Sequence, residues 1–252
     1  MQGAIYPSLK ERTVLVTGGG SGIGEAIVRH FVAQGSRVGF IDVDVKPSNG
    51  LLESLPAGAK AHFEHADLRD INALRRAVAT IREALGPITI LVNNAARDDR
   101  HSIEDVTPEY WDERIAVNLK HQFFAAQAVA PDMTQAGGGS IVNMGSVSWV
   151  IGQGNMPCYT TAKSAVQGLT RALARDLGPN NVRVNSILPG WIMTQRQQDR
   201  WLTPEGEVEL MQRQCIKRKL MPVDIARVVL FFAADDSGAC TNQNYIVDGG
   251  WV

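Results

Sequence analysis

The sequence predicts an α/β fold: one domain built on a doubly wound parallel sheet of about seven strands. Three observations predict it. Short apolar runs alternate with longer amphipathic segments from one end to the other, the pattern of a parallel sheet covered by helices on both faces. A length of 252 residues suits one large domain with a sizeable core. No linker, repeat or low-complexity stretch divides residues 1–252.

The elements follow in order. Thr13 to Thr17 reads as a buried strand, and Gly22 to Gln34 as the helix after it. Arg37 to Ile41 is a second strand, Ala61 to Ala66 a weaker third, and Ile71 to Leu85 a helix. Ile88 to Val92 is the fourth strand. Thr107 is an N-cap with Pro108 at the first helical position, opening a long helix toward Gln135 that Pro131 should end or kink near its last turn. Ser140 to Met144 is the fifth strand, and Cys158 to Leu177 a helix closed by Gly178-Pro179. Val182 to Leu188, the helix Pro222 to Ala234 and the strand Asn244 to Val247 complete the set. The irregular stretch from Pro189 to Met221 mixes helical fragments with Thr, Pro and Gly. Such an excursion in a compact domain predicts a substrate lid, here around residues 190–221.

Composition excludes several classes. Hydrophobic residues at 44% and charged residues at 20% are ordinary for a soluble globular protein. A formal charge of -1, with no long run of Lys or Arg, gives no field to draw nucleic acid or a membrane. Lys217-Arg218-Lys219 reads as a solvated helix end or loop. Cys158, Cys215 and Cys240 are odd in number, far apart and without metal-ligand spacing. They predict reduced thiols in a cytoplasmic protein and no metal site. Met1 to Glu11 lacks an apolar signal core, and no window approaches 18 uncharged apolar residues.

Thr17-Gly18-Gly19-Gly20-Ser21-Gly22-Ile23-Gly24 lies between the first strand and the first helix. Glycines there let the backbone approach a pyrophosphate, while the helix N-terminus supplies N–H donors and positive potential. Asp42 follows 18 positions after Gly24, where a carboxylate accepts from the adenosine ribose hydroxyls and repels a 2′-phosphate. Val43 offers no cation to offset that repulsion, so the expected cofactor is NAD.

Tyr159 and Lys163 stand four apart at the start of a predicted helix and share one face. A phenol, with a reference pKa of about 10, needs about 4 kcal/mol of help to serve as a base near neutral pH. A neighbouring ammonium together with an oxidised nicotinamide ring can supply it. Ser146, 13 residues before Tyr159, offers a hydroxyl for the substrate oxygen.

These pieces, with Asp67-Leu68, Asn93-Asn94-Ala95, Asn118 and Pro189-Gly190, resemble the short-chain dehydrogenase/reductase family from end to end. The resemblance implies a Rossmann-type fold and a homotetramer, with Thr107 to Gln135 and Cys158 to Leu177 at one interface and the Trp251-Val252 end at another. It also implies roles. Gly18, Ser21, Gly22, Ile23 and Gly24 hold the pyrophosphate. Asp67 and Leu68 contact adenine, and Asn94 and Ala95 pass beside the cofactor. Tyr159 deprotonates the substrate hydroxyl, Lys163 holds the nicotinamide ribose, Ser146 orients the substrate, and Asn118 positions a water for proton relay. Pro189 precedes Ile192, whose backbone holds the carboxamide, with Thr194 nearby. Ala96 departs from the usual Gly and requires a negative φ.

A narrower resemblance, to bacterial aldose 1-dehydrogenases, is carried by residues 4–10, Asp98 to His101, Tyr110 to Arg114, Thr203 to Glu207 and Cys240-Thr241. It implies oxidation of an anomeric hydroxyl to a lactone. Ser148, Asn155, Trp149 and Trp191 sit where substrate walls are expected, the tryptophans suited to stack on a sugar ring or to pack in the core. Arg97, after the Asn-Asn-Ala-Ala turn, keeps a second reading open: a cation at the pocket mouth suits the carboxylate of a 2-keto-3-deoxy sugar acid oxidised at a secondary hydroxyl. A third reading is a regulator that senses NAD without turnover; intact Ser146, Tyr159 and Lys163 speak against it. His101 and His121 are expected to be structural or exposed, since Tyr159 fills the base role.

Overall fold

A computed structural model describes residues 3–252. Seven strands, β1 (Thr13–Thr17), β2 (Arg37–Asp42), β3 (Ala61–His65), β4 (Ile88–Asn93), β5 (Gly139–Met144), β6 (Val182–Pro189) and β7 (Asn244–Val247), form one sheet in the order β3-β2-β1-β4-β5-β6-β7. Every neighbouring pair is parallel. The order reverses between β1 and β4, so a crevice opens there at the carboxyl ends of the strands.

The strands read as continuous apolar runs because both faces are covered. Val14, Val16, Ile90, Val92, Val142 and Met144 face one core, with Ile27, Val28 and Phe31 of α1 (Gly22–Ala33) and Ile225, Ala226 and Val229 of α9 (Pro222–Ala233). Leu15, Ile88, Leu91 and Ile141 alternate to the other, against α3 (Ile71–Leu85), α5 (His121–Gln135) and α6 (Pro157–Leu177). That two-residue alternation is the pleat, and each fully buried Val, Leu or Ile contributes about 1.5–3 kcal/mol.

Two helical features differ from the expectation. A helix absent from the sequence reading, α2 (Val45–Ser54), follows β2. Lys46, Pro47, Ser48, Asn49 and Gly50 hide it, being mostly poor helix formers without apolar period. It forms because Leu51 is buried in the first core and the Ser48 hydroxyl donates to the Asp44 carbonyl. The long helix predicted from Thr107 is α4 (Pro108–Ile115), a π-turn at Ala116–Lys120, and α5. Pro131 lies inside α5, which runs on to Gln135. The Thr107 hydroxyl accepts from the Tyr110 N–H as the N-cap. The excursion after β6 folds into α7 (Gln195–Arg200) and α8 (Pro204–Arg213), capped by Thr194 and Thr203. Among the described residues no helix is long and apolar enough to cross a membrane.

Candidate active site

The glycine turn closes over the carboxyl end of β1. Gly18 and Gly22 have φ of 65° and 57°, a region that favours glycine. At Gly24 a Cβ would collide with the Gly18 carbonyl oxygen. The Asn94 amide donates to the carbonyls of Thr17 (3.1 Å) and Gly18 (2.8 Å), tying the end of β4 to the turn. The Thr17 hydroxyl accepts from the N–H groups of Asn94 and Ala95. Asp42, at the end of β2, accepts from the Gly20 N–H at 2.8 Å and the Asp44 N–H at 3.0 Å. Ser21 occupies the N-cap position of α1 with its hydroxyl making no capping bond, Ile23 lines the main cleft, and Leu68 is buried beyond β3. Asp67 is chelated by Arg69, whose guanidinium holds its carboxyl below the usual range. A tight backbone cradle at a helix N-terminus beside a fixed carboxylate fits a dinucleotide.

The candidate catalytic residues converge from the start of α6 and the segment after β5. Tyr159 opens α6, Lys163 follows one turn on, and Ser146 lies just past β5. Lys163 is buried, and its Nζ lies 5.7 Å from the Tyr159 ring centroid. It donates to the Met144 carbonyl oxygen at 2.7 Å. Burial brings the Lys163 ammonium down to about 7, the Asp98 charge opposing. Burial and then Asp98 raise the Tyr159 phenol above its ordinary value; the nearby Ser146 hydroxyl and the charge of Arg100 pull the other way. The position of α6 is set by a ladder that sequence reading missed: Asn93 donates to Asn143, which donates to Thr170. Buried amides at the ends of adjacent strands are its only sequence signal.

Asn118 sits in the π-turn, buried, with its side chain fully engaged. Its Oδ1 accepts from the Arg97 N–H at 2.9 Å, and its Nδ2 donates to the carbonyls of Arg97 and Arg114. His121 follows it, held neutral by burial and the Lys163 charge, its pKa lowered to about 3, with Nε2 facing the Ala95 carbonyl.

A cleft of about 940 Å³ brings together Ile23, Asn94, Ser146, Ser148, Asn155, Tyr159, Lys163, Pro189, Trp191, Ile192 and Thr194. The Ser148 hydroxyl is buried and unpartnered. Trp149 is not among the lining residues, and neither is Arg97, which is exposed and faces Asp99 at 3.6 Å. In their place the cleft holds Asp98, Arg100, Gln197, Trp201 and Trp251. Asp98 and Arg100 follow the Asn-Asn-Ala-Ala turn, as Arg97 does; nothing periodic marks which of them points inward.

A family model described as enoyl-(acyl carrier protein) reductase matches residues 18–252. A probable galactose dehydrogenase (GalD) of Rhizobium meliloti is 50% identical, covering 97% of this chain and 96% of its own. D-xylose 1-dehydrogenase of Caulobacter vibrioides is 46% identical over 100% of both. The chain is a short-chain dehydrogenase/reductase. Among solved structures, 7 alpha-hydroxysteroid dehydrogenase complexed with NADH and 7-oxo glycochenodeoxycholic acid superposes with a TM-score of 0.93 at 30% identity, covering 99% of this chain and 98% of that one. As a short-chain dehydrogenase/reductase the protein is an oxidoreductase acting on CH–OH donors, and the dehydrogenases of this family use a nicotinamide dinucleotide. The family's usual Gly is replaced by Ala96, and Ala96 is not among the residues with positive φ, so its methyl group imposes no backbone strain.

Proposed function

We propose that this dehydrogenase oxidises a neutral aldose at C1 to the lactone, with NAD as the hydride acceptor. The observation that carries the reading is the Tyr159 phenol in one cleft with Ser146, with Lys163 one turn away on α6, among hydroxyl-binding groups. Its two sugar dehydrogenase relatives match along essentially the whole chain. In the reaction the C1–H leaves as hydride and the anomeric O–H proton passes to Tyr159. Ser146 donates to the substrate oxygen and steadies the developing charge. The bound cofactor supplies the hydride acceptor and a positive charge beside the phenol. Lys163 holds the nicotinamide ribose and adds its own charge. The Asn118 side chain is engaged with Arg97 and Arg114, so a relay water at Asn118 would use the backbone carbonyl, which also accepts from Gln122 Nε2 at 3.3 Å.

Cofactor contacts come from Gly18, Ser21, Gly22, Ile23 and Gly24 at the pyrophosphate, Asp67 and Leu68 at adenine, Asn94 and Ala95 alongside, and Pro189, Ile192 and Thr194 at the carboxamide. The fixed carboxylate of Asp42 favours NAD over NADP. Ser148, Asn155 and Trp191 contact the sugar. Arg97, turned toward Asp99, gives the sugar-acid reading no support. We assign a cytoplasmic homotetramer, with the exposed Trp111 and Phe123 on the α4–α5 face and Phe231, Tyr245 and Ile246 on the α9–β7 face as apolar surface for its interfaces. The deciding experiment is an NAD-reduction screen over aldoses and 2-keto-3-deoxy sugar acids. Turnover of D-galactose or D-xylose is expected; turnover of sugar acids alone overturns the reading.

A further inference from the structure

Asp98 stands in the cleft, and residues of the lid hold both of its oxygens. Oδ2 accepts from the Gln197 Nε2 at 2.6 Å, and Oδ1 accepts from the Arg196 Nε at 3.3 Å. Gln197 has no freedom to turn its amide over. Its Oε1 accepts from the Trp191 indole N–H at 2.9 Å, and an indole N–H can only donate. The amide nitrogen is therefore forced toward Asp98. An ionised carboxylate has about four acceptor positions, so Asp98 keeps room to accept from a ligand.

We infer that Asp98, aimed by Gln197, is the substrate-selecting group of this enzyme: it accepts hydrogen bonds from the hydroxyls of a neutral sugar and turns away substrates that carry a carboxylate. The inference rests on the aldose reading above. Hydroxyls are good donors to a fixed anion, and hydrogen bonds to charged groups are stronger than neutral ones. A carboxylate substrate would bring a second anion into the same cleft and leave both without a shared proton. The nearby arginines are already engaged. Arg97 lies outside and faces Asp99, Arg196 is shared between Asp98 and Asp99, Arg213 faces Glu209 at 3.5 Å, and Arg100 lies over the Trp201 ring at 5.2 Å. The Asp98 charge also reaches the reacting end, where it raises the Tyr159 phenol against Arg100.

The charged and titratable groups around Asp98 are Arg196 on α7, Tyr159 and Lys163 on α6, Arg97, Asp99, Arg100 and His101 on its own loop, and Glu209 and Arg213 on α8. The test compares wild type, Asp98→Asn and Gln197→Met with NAD. The substrates are D-galactose and D-xylose against D-galacturonate and D-glucuronate, acids that keep an anomeric hydroxyl. Wild type is expected to favour the neutral sugars by at least about a hundredfold in kcat/KM. Asp98→Asn should narrow that ratio by about tenfold or more. It should also move the acid limb of kcat to lower pH, because the charge that raises the phenol is gone. Gln197→Met leaves the charge in place, so the ratio stays while KM for the neutral sugars rises about fivefold or more. An unchanged ratio and pH profile in folded Asp98→Asn overturns the inference and leaves the aldose reading standing. If Asp98→Asn does not fold, an unchanged KM in Gln197→Met overturns it. Wild type that oxidises no neutral sugar overturns both.

Discussion

Lys163 donates from Nζ to the carbonyl oxygen of Met144 at 2.7 Å, fastening helix α6 to the end of β5. The ammonium is only 1% exposed, and burial lowers its pKa to about 7. In the unfolded chain it titrates near 10.4. Between those values the unfolded state binds more protons than the folded state, so stability rises with pH across that window. The penalty for burying the charge is full below about pH 7 and is relieved as pH rises. The Tm of the ligand-free wild type should therefore gain on that of Lys163→Met between pH 7 and 10. A constant Tm difference across that range would contradict the assignment.

Tyr159→Phe keeps the ring beside Lys163 and removes the phenol oxygen proposed to take the substrate proton. NADH binding, followed by nicotinamide fluorescence, should stay within about twofold of wild type, while kcat falls by about 10³-fold. Turnover near the wild-type level would remove Tyr159 from the base role.

Asp42 is held by two backbone N–H groups, from Gly20 and Asp44, so its carboxylate cannot swing away from a 2′-phosphate. Steady-state kinetics should favour NAD over NADP by about a hundredfold or more. Asp42→Ser should narrow that preference by about tenfold. Equal kcat/KM for the two cofactors in wild type would contradict the reading.

Arg97 points out of the cleft toward Asp99. Arg97→Ala should leave KM for a neutral aldose within about twofold, as exposed ion pairs contribute about 0–1 kcal/mol. A large rise in KM would bring Arg97 back to the substrate and with it the sugar-acid reading.

The sheet and most helices were legible because their signals are local. Leu15 between Val14 and Val16 already says which residues face opposite cores, and all three are fully buried. Helix α2 was hidden because Pro47 and Gly50 suggest a loop, and only the burial of Leu51 outweighs their propensities. The break at Ala116–Lys120 has a local part, the Asn118 amide donating to the Arg114 carbonyl four residues back, and a part no local pattern shows, the bond from the Arg97 N–H 21 residues away.

The sequence by itself determined the strand–glycine turn–helix and the Tyr159–Lys163 face, since a glycine cradle and an i, i+4 pair are properties of a few consecutive residues. Only the tertiary structure decided which side chain after Asn93-Asn94 enters the cleft. Arg97 turns outward to Asp99, while Asp98 turns inward to Gln197, 99 residues along the chain. A loop has no period to fix those directions. They are set by partners that meet only once the α7–α8 segment has packed beside the loop after β4.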